Sequence, residues 1–248
     1  MLPPNIIFQR TVFWAASSAM FGMGSQIILG LWLPEWFQAV KGVSPTDSGV
    51  RLLPTMLAQV VSSILTGVLI TKLGYANPWQ IVGTALMSVG SGLFTTFEVD
   101  SGSGFWIGYQ VVYGFGAGMF LTAPFIAIQA VLDPADTPVG LSTITFFQMF
   151  GGALFSAISQ TIFNQQLVTQ LQKNVPGVDV RQLLAAGTTA LHKAVMPDQM
   201  PGVLQSYNTA LLNPFYLGAA VSAVAFFLAF GMEWVSVKGK NLLAAEGA

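Results

Sequence analysis

Gln26, Gln59, Gln110, Gln129, Gln148 and Gln160 each lie inside a long run free of Asp, Glu, Lys, Arg and His, in company with Tyr113 and Thr122. A carboxamide offers N–H donors and a carbonyl acceptor but carries no charge, so its chemistry is recognition and orientation rather than proton exchange or attack on a bond. In hydrocarbon an unsatisfied polar group costs several kcal/mol, and these side chains must therefore meet one another, a wet cavity or a polar ligand. Other chemistries lack their parts. Cysteine is absent, which removes disulfides, thiol nucleophiles and thiolate metal sites. The single histidine, His192, stands in a charged segment and cannot build a metal site by itself. There is no paired carboxylate, no His-assisted nucleophile and no phosphate-cradling loop before a lysine, so neither an enzyme nor a bound cofactor is expected. No ionisable residue falls near the middle of an apolar run, and the chain shows no ion-coupling site of its own.

The elements that must hold these glutamines are membrane-spanning helices. Hydrophobic residues make up 53% of the chain and charged residues only 8%, against about 25% charged in a soluble domain. A formal charge of -1 leaves no basic patch for nucleic acid. Met1-Leu-Pro-Pro lacks the basic n-region of a secretory signal. Six spans are expected, at 11–34, 45–70, 79–97, 104–131, 138–164 and 206–232, with an extramembrane loop at 165–205 that contains His192 and a short amphipathic segment at 180–196. Ser44 with Pro45 and Asp47 reads as the N-cap of the second span. Arg51 follows Asp47 by one helical turn and is expected to form a local ion pair worth a few tenths of a kcal/mol.

The fourth span is the densest in signals. Gly114 and Gly118 at small-xxx-small spacing let a second helix approach closely, and Pro124 is tolerated where neighbouring groups satisfy the freed carbonyl. Taken singly, each intramembrane Gln suits an interhelical hydrogen bond of about 0.6 kcal/mol. Their distribution says more: the first, second, fourth and fifth spans carry them and the third and sixth carry none in their cores, which predicts an inner and an outer set. Six spans put both termini on one side, and the short-loop basic residues Arg10, Lys72, Lys238 and Lys240 favour that side as the cytosolic one.

Phe37-Gln-Ala-Val-Lys-Gly-Val-Ser-Pro45, Gly67-Val-Leu-Ile-Thr-Lys-Leu-Gly-Tyr75, Trp106-Ile-Gly-Tyr-Gln110, Tyr113-Gly-Phe-Gly-Ala-Gly118, Ile126-Ala-Ile-Gln-Ala-Val-Leu132, Pro134-Ala-Asp136, Phe147-Gln148 and Met232-Glu-Trp234 occur in this order. Together they resemble the fungal fourteen-helix drug:proton antiporter branch of the major facilitator superfamily. The resemblance implies an all-α membrane protein, the C-terminal six-helix bundle of an alternating-access efflux pump, with the N-terminal bundle missing from the chain. It implies a small amphipathic substrate, the proton as coupling ion, the plasma membrane as location and cytosolic termini. Gly67-x-Leu-x-x-Lys72-x-Gly74 is similar to the cytosolic inter-helix motif of the superfamily. Gly67, Lys72, Gly74, Arg51, Gly114, Gly118 and Pro124 are the corresponding structural and gating candidates. In that fold the first, second, fourth and fifth helices of a bundle line the cavity, the set that the glutamines select. Two positions depart from the pattern: Thr122-Ala123 stands where members carry paired glutamines before the proline, and Glu35 where they carry an apolar residue. The alternatives are a six-helix protein that self-associates into a homodimeric carrier or channel through the Gly-rich fourth span, and a non-transporting fragment that pairs with a longer relative.

Overall fold

The computed structural model describes residues 4–175 and 199–238, so His192, the 180–196 segment and Lys240 lie outside the described residues. The described residues form helices without a named strand: α1 Pro4–Ile7, α2 Arg10–Ala39, α3 Pro45–Val50, α4 Leu53–Leu73, α5 Asn77–Phe94, α6 Ser103–Val131, α7 Thr137–Asn174 and α8 Met200–Ala229. Among the described residues, five helical stretches are long and apolar enough to cross a membrane: α2, α3 with α4, α6, α7 and α8. Helix α5 has 18 residues, about 27 Å at the helical rise, close to the ~30 Å of a hydrocarbon core. Its polar opening Asn77-Pro-Trp-Gln80 lowers its hydropathy.

Several helix ends depart from the expected ones, each for a visible reason. Helix α2 continues through Pro34 to Ala39. Trp36 and Phe37, both wholly buried, supply packing that outweighs the roughly 3 kcal/mol of an interior proline. The Pro34 carbonyl accepts from Ser48 Oγ at 2.9 Å. Helix α7 runs ten residues past the expected end, because Phe163, Leu167 and Leu171 continue a buried i, i+4, i+8 stripe. Helix α8 starts at Met200 instead of 206; Asn174 donates to Ser206 Oγ at 3.0 Å and Ser206 to the Gln170 carbonyl at 3.1 Å, so the two helices are joined in what the sequence suggests is loop. The second span breaks at Arg51–Leu52 into α3 and α4, with Pro54 in the first turn of α4.

The N-cap at Ser44 has the expected form, its Oγ accepting from the Asp47 amide at 3.1 Å. The local ion pair does not form. Asp47 Oδ2 accepts from Ser44 Oγ at 2.8 Å, and Arg51 instead places its guanidinium 5.5 Å from the Phe37 ring and 5.7 Å from the Trp106 ring. A stacked arginine keeps its charge while covering apolar rings, which an exposed carboxylate does not offer. Arg51→Met is therefore expected to lower stability by about 0.5–1 kcal/mol, a loss that Asp47→Ala should not reproduce through Arg51. Denaturation of the two variants in the same detergent checks this.

The helices pack in two rows. Helix α6 lies between α4 and α5; α2 lies against α7 and α8; α5 and α8 pack on each other and close the back of the bundle. Backbones approach closely on both sides of α6. A Cβ added at Gly114 or Gly118 would meet the Thr55 or Gln59 carbonyl of α4. On the opposite side of α6, one at Gly116 would meet the Gly83 carbonyl at 2.5 Å and the Met87 amide at 2.6 Å of α5. Gly114 and Gly118 thus serve helix packing. At one end of the bundle the chain closes on itself: Arg10 Nε donates to the Gly231 carbonyl at 3.0 Å, Asn77 Nδ2 to the Met232 carbonyl at 2.8 Å and the Val237 amide to the Gly74 carbonyl at 2.8 Å. Glu233 accepts from Gln9 and Thr11, both at 3.0 Å. Both ends of the described chain therefore meet at the α4–α5 turn.

Candidate functional site

Opposite the α5–α8 side, α4, α6, α2 and α7 present one face, and the polar groups that the sequence singles out divide between this face and the seams behind it. Gln26 Nε2 of α2 donates to Gln59 Oε1 of α4 at 3.3 Å, both residues half-buried. Gln26 Oε1 has no protein partner. This pair bridges two helices that share little other contact, so it is the polar crossing of the front face.

Gln110, Thr122 and Tyr113 do other work. Gln110 is wholly buried and its Oε1 accepts from Thr55 Oγ1 at 2.8 Å, which ties α6 to α4. Thr122 shares a 2.7 Å hydrogen bond with Ser63 and donates to the Gly118 carbonyl one turn earlier. Tyr113 is buried; its hydroxyl meets Ser25 Oγ at 3.2 Å, and Ser25 meets Ser91 Oγ at 3.3 Å, so α2, α5 and α6 are joined through three hydroxyls in the core. Gln129 is half-buried near the end of α6, and Gln160 is exposed on α7, where its Nε2 donates to Asn164 Oδ1 at 3.2 Å. Pro124 is buried inside an unbroken α6.

Gln148, like Gln110, has a buried Nε2 without a hydrogen-bond partner among the described residues. It is 4% exposed, and with Met23, Ile27, Met149, Gly152 and Ser156 it lines a cavity of about 240 Å³ at the α2–α7 seam. The structure therefore brings Gln26 to Gln59, sets Gln148 beside α2, and leaves Gln110 and Tyr113 in helix seams.

Two buried amides belong to the back helices, which the sequence suggests carry no glutamine in their cores. Gln80 of α5 donates to Ser18 Oγ at 3.1 Å, and Ser18 to the Ala225 carbonyl at 2.9 Å. Asn208 of α8 accepts from Trp36 Nε1 at 2.8 Å and donates to the Phe97 carbonyl at 3.0 Å. Gln80 is the second residue of the expected third span, at its edge; with the helix starting at Asn77 it lies a turn further in and is buried. Asn208 escapes a count restricted to glutamines. Trp32 Nε1 donates to Ser159 Oγ at 2.9 Å, a third buried tie, between α2 and α7.

At the closed end, Gly74 takes a left-handed φ of 90° as the C-cap of α4, and the Lys238 side chain lies 3.0 Å from where its Cβ would be. Lys72 is exposed in the last turn of α4, and Gly67 has open space around it. At the opposite end Lys41 Nζ donates to the Val99 carbonyl at 2.7 Å and sits 5.2 Å from the Trp36 ring. Burial holds its ammonium below the usual lysine range, with Asp100 opposing that shift and Arg51 adding to it.

The family model for the Major Facilitator Superfamily matches residues 2–156. The efflux pump roqT of Penicillium rubens is 43% identical over 96% of this chain and 44% of its own length. The MFS-type transporter astH of Aspergillus oryzae is 41% identical over 97% of this chain and 43% of its own length. The crystal structure of the Escherichia coli fucose:proton symporter FucP superposes with a TM-score of 0.67 at 16% identity, over 95% of this chain and 52% of that one. The chain thus spans somewhat less than half the length of the relatives it matches.

Proposed function

Because the chain belongs to the Major Facilitator Superfamily, we propose that it forms the C-terminal six-helix half of a proton-coupled efflux pump that exports small amphipathic molecules, such as drugs, toxins or secondary metabolites, by alternating access. The observation that carries this reading is the 43% identity, over nearly the whole chain, to a protein named an efflux pump. The front face adds a physical reason. Gln26 and Gln59 offer uncharged hydrogen-bonding groups on helices whose apolar backs suit lipid or packing, while α5 and α8 close the rear. Such a face recognises a neutral polar atom on an otherwise apolar molecule and does not trap an ion.

Alternating access needs two bundles that rock about a midplane site, so the second bundle is a required partner. The runs that build these spans hold no ionisable residue near their middles, so in this reading the proton-carrying groups belong to that partner. In this reading the pump spans the plasma membrane, and the end where Gly74, Glu233 and Lys238 meet faces the cytosol. Gly67, Lys72 and Gly74 then form the cytosolic turn that moves against the other bundle, and Gln129, Gln148 and Gln160 contribute further polar groups to the path.

Reconstitution tests the reading. Vesicles containing this chain alone are expected to show no proton-gradient-dependent accumulation of a rhodamine dye. Vesicles containing it with the N-terminal half of a relative such as roqT are expected to accumulate the dye and to stop when the gradient is collapsed. Gradient-driven transport by the chain alone, or none by the pair, contradicts it.

A further inference from the structure

The two ends of the bundle hold their cations differently. At one end Lys41 and Arg51 are committed, Lys41 to the Val99 carbonyl and the Trp36 ring, and Arg51 to the rings of Phe37 and Trp106. At the other end, where the segment after α8 crosses the α4–α5 turn, Lys72 and Lys238 are exposed, and neither side chain makes an ion pair or a hydrogen bond among the described residues. The acids at this end do not claim them. Glu233 turns its carboxylate to Gln9 and Thr11, and Asp133 and Asp136, in the turn between α6 and α7, make no ion pair with either lysine among the described residues.

The crossing gathers these lysines around one turn. Three stem carbons of Lys238 lie within 3.2 Å of the Cβ position of Gly74, which follows Lys72 by two residues. A bridge between Tyr75 and Ser236, with the Val237 amide donating to the Gly74 carbonyl at 2.8 Å, fixes the register. The same crossing sets the rings of Tyr75 and Trp234 with centroids 6.5 Å apart, and both rings are exposed. Phe227 and Phe230, three residues apart at the end of α8, continue the exposed aromatic surface towards the middle of the bundle. Tyr and Trp favour the level of lipid headgroups, and a lysine held there attracts a negative headgroup. A soluble anion would engage the lysines and leave the rings, and a neutral lipid would engage the rings and leave the lysines. A negatively charged lipid engages both.

We propose that this crossing is a binding surface for an anionic phospholipid, whose headgroup is held by Lys72 and Lys238 and whose glycerol and upper acyl region lie against Tyr75, Trp234 and Phe230. The surface is separate from the glutamine-bearing face and does not depend on the efflux reading.

Dioleoyl phosphatidylserine and dioleoyl phosphatidylcholine share their acyl chains and differ in headgroup charge. In native mass spectrometry of the full chain from micelles holding equal amounts of the two, the serine lipid is expected to be retained about tenfold more than the choline lipid. Lys72→Gln combined with Lys238→Gln is expected to bring the ratio close to parity, whereas Lys173→Gln, at an exposed lysine in the last turn of α7, leaves it unchanged. Trp234→Ala is expected to weaken retention of both lipids and to keep their ratio. Equal retention by the unsubstituted chain, an unchanged ratio in the double lysine variant, a ratio that falls as far with Lys173→Gln, or full retention in Trp234→Ala overturns the proposal. Soluble glycerophosphoserine gives a measurement without any variant. In large excess it is expected to leave the bound lipid in place, because a free headgroup gains nothing from the rings; displacement of the lipid would show a site for small anions and overturn the proposal.

Discussion

Replacing Gly118 by leucine is expected to cost about 3 kcal/mol or more of bundle stability and to separate α4 from α6. At this position a Cβ would meet the Gln59 carbonyl, with Ser62 Cβ and the Ser63 amide nitrogen both at 2.8 Å, so relief requires the movement of a helix backbone rather than the turn of a side chain. The same displacement would pull apart the Ser63–Thr122 and Thr55–Gln110 hydrogen bonds that join the two helices. Gly108 on the same helix provides the control, since nothing lies within 4 Å of its Cβ position. Gly108→Ala should be neutral or stabilising by up to about 1 kcal/mol through helix propensity alone. Denaturation midpoints of the two variants in one detergent read the contrast. Similar midpoints would show that close backbone contact is not what holds α4 to α6.

The second large effect is expected at Trp36. Its indole is wholly buried with its centroid 4.4 Å from that of Phe97, and it donates to Asn208, which in turn holds the Phe97 carbonyl. Trp36→Ala combines a cavity with a broken polar chain and should cost about 3–5 kcal/mol. Trp36→Phe keeps most of the ring but leaves Asn208 Oδ1 unpaired, so it should retain much of the packing and still lose about 1–3 kcal/mol. The pair of values separates packing from hydrogen bonding. A Trp36→Phe variant as stable as the parent would mean that the Asn208 contact contributes nothing.

Which features the sequence revealed follows from how local their causes are. Ser44 with Asp47, and Gly74 at the end of α4, act within a few residues, and both are found as caps. The small-residue spacing of Gly114 and Gly118 likewise marked a close approach before the partner helix was known. Pro34 misleads because what overrides it is the burial of Trp36 and Phe37 against other helices, which no local pattern contains. Arg51 misleads for a similar reason: Asp47 is its neighbour in sequence, but Trp106 arrives from α6. Among the glutamines, residue type marked a need for partners without saying which partner. Gln110 Oε1 found Thr55 inside a seam, Gln26 Nε2 found Gln59 on the front face, and the Nε2 atoms of Gln110 and Gln148 found none. These outcomes depend on helix rotation and packing across the bundle.

The absence of cysteine makes the chain its own background for single-cysteine labelling. Met149 and Val89 are similarly exposed, at 62% and 56%, but Met149 belongs to the front face beside the Gln148 cavity and Val89 to α5 at the back. The decisive measurement is the rate at which Met149→Cys and Val89→Cys react with a charged, water-soluble thiol reagent, in membranes where the chain is paired with the N-terminal half of a relative. A wet path along α2, α4, α6 and α7 predicts that Met149→Cys reacts at least about tenfold faster, because lipid shields Val89 and ionises almost no thiol. Equal rates, or faster reaction at Val89, would contradict a front face that opens to water.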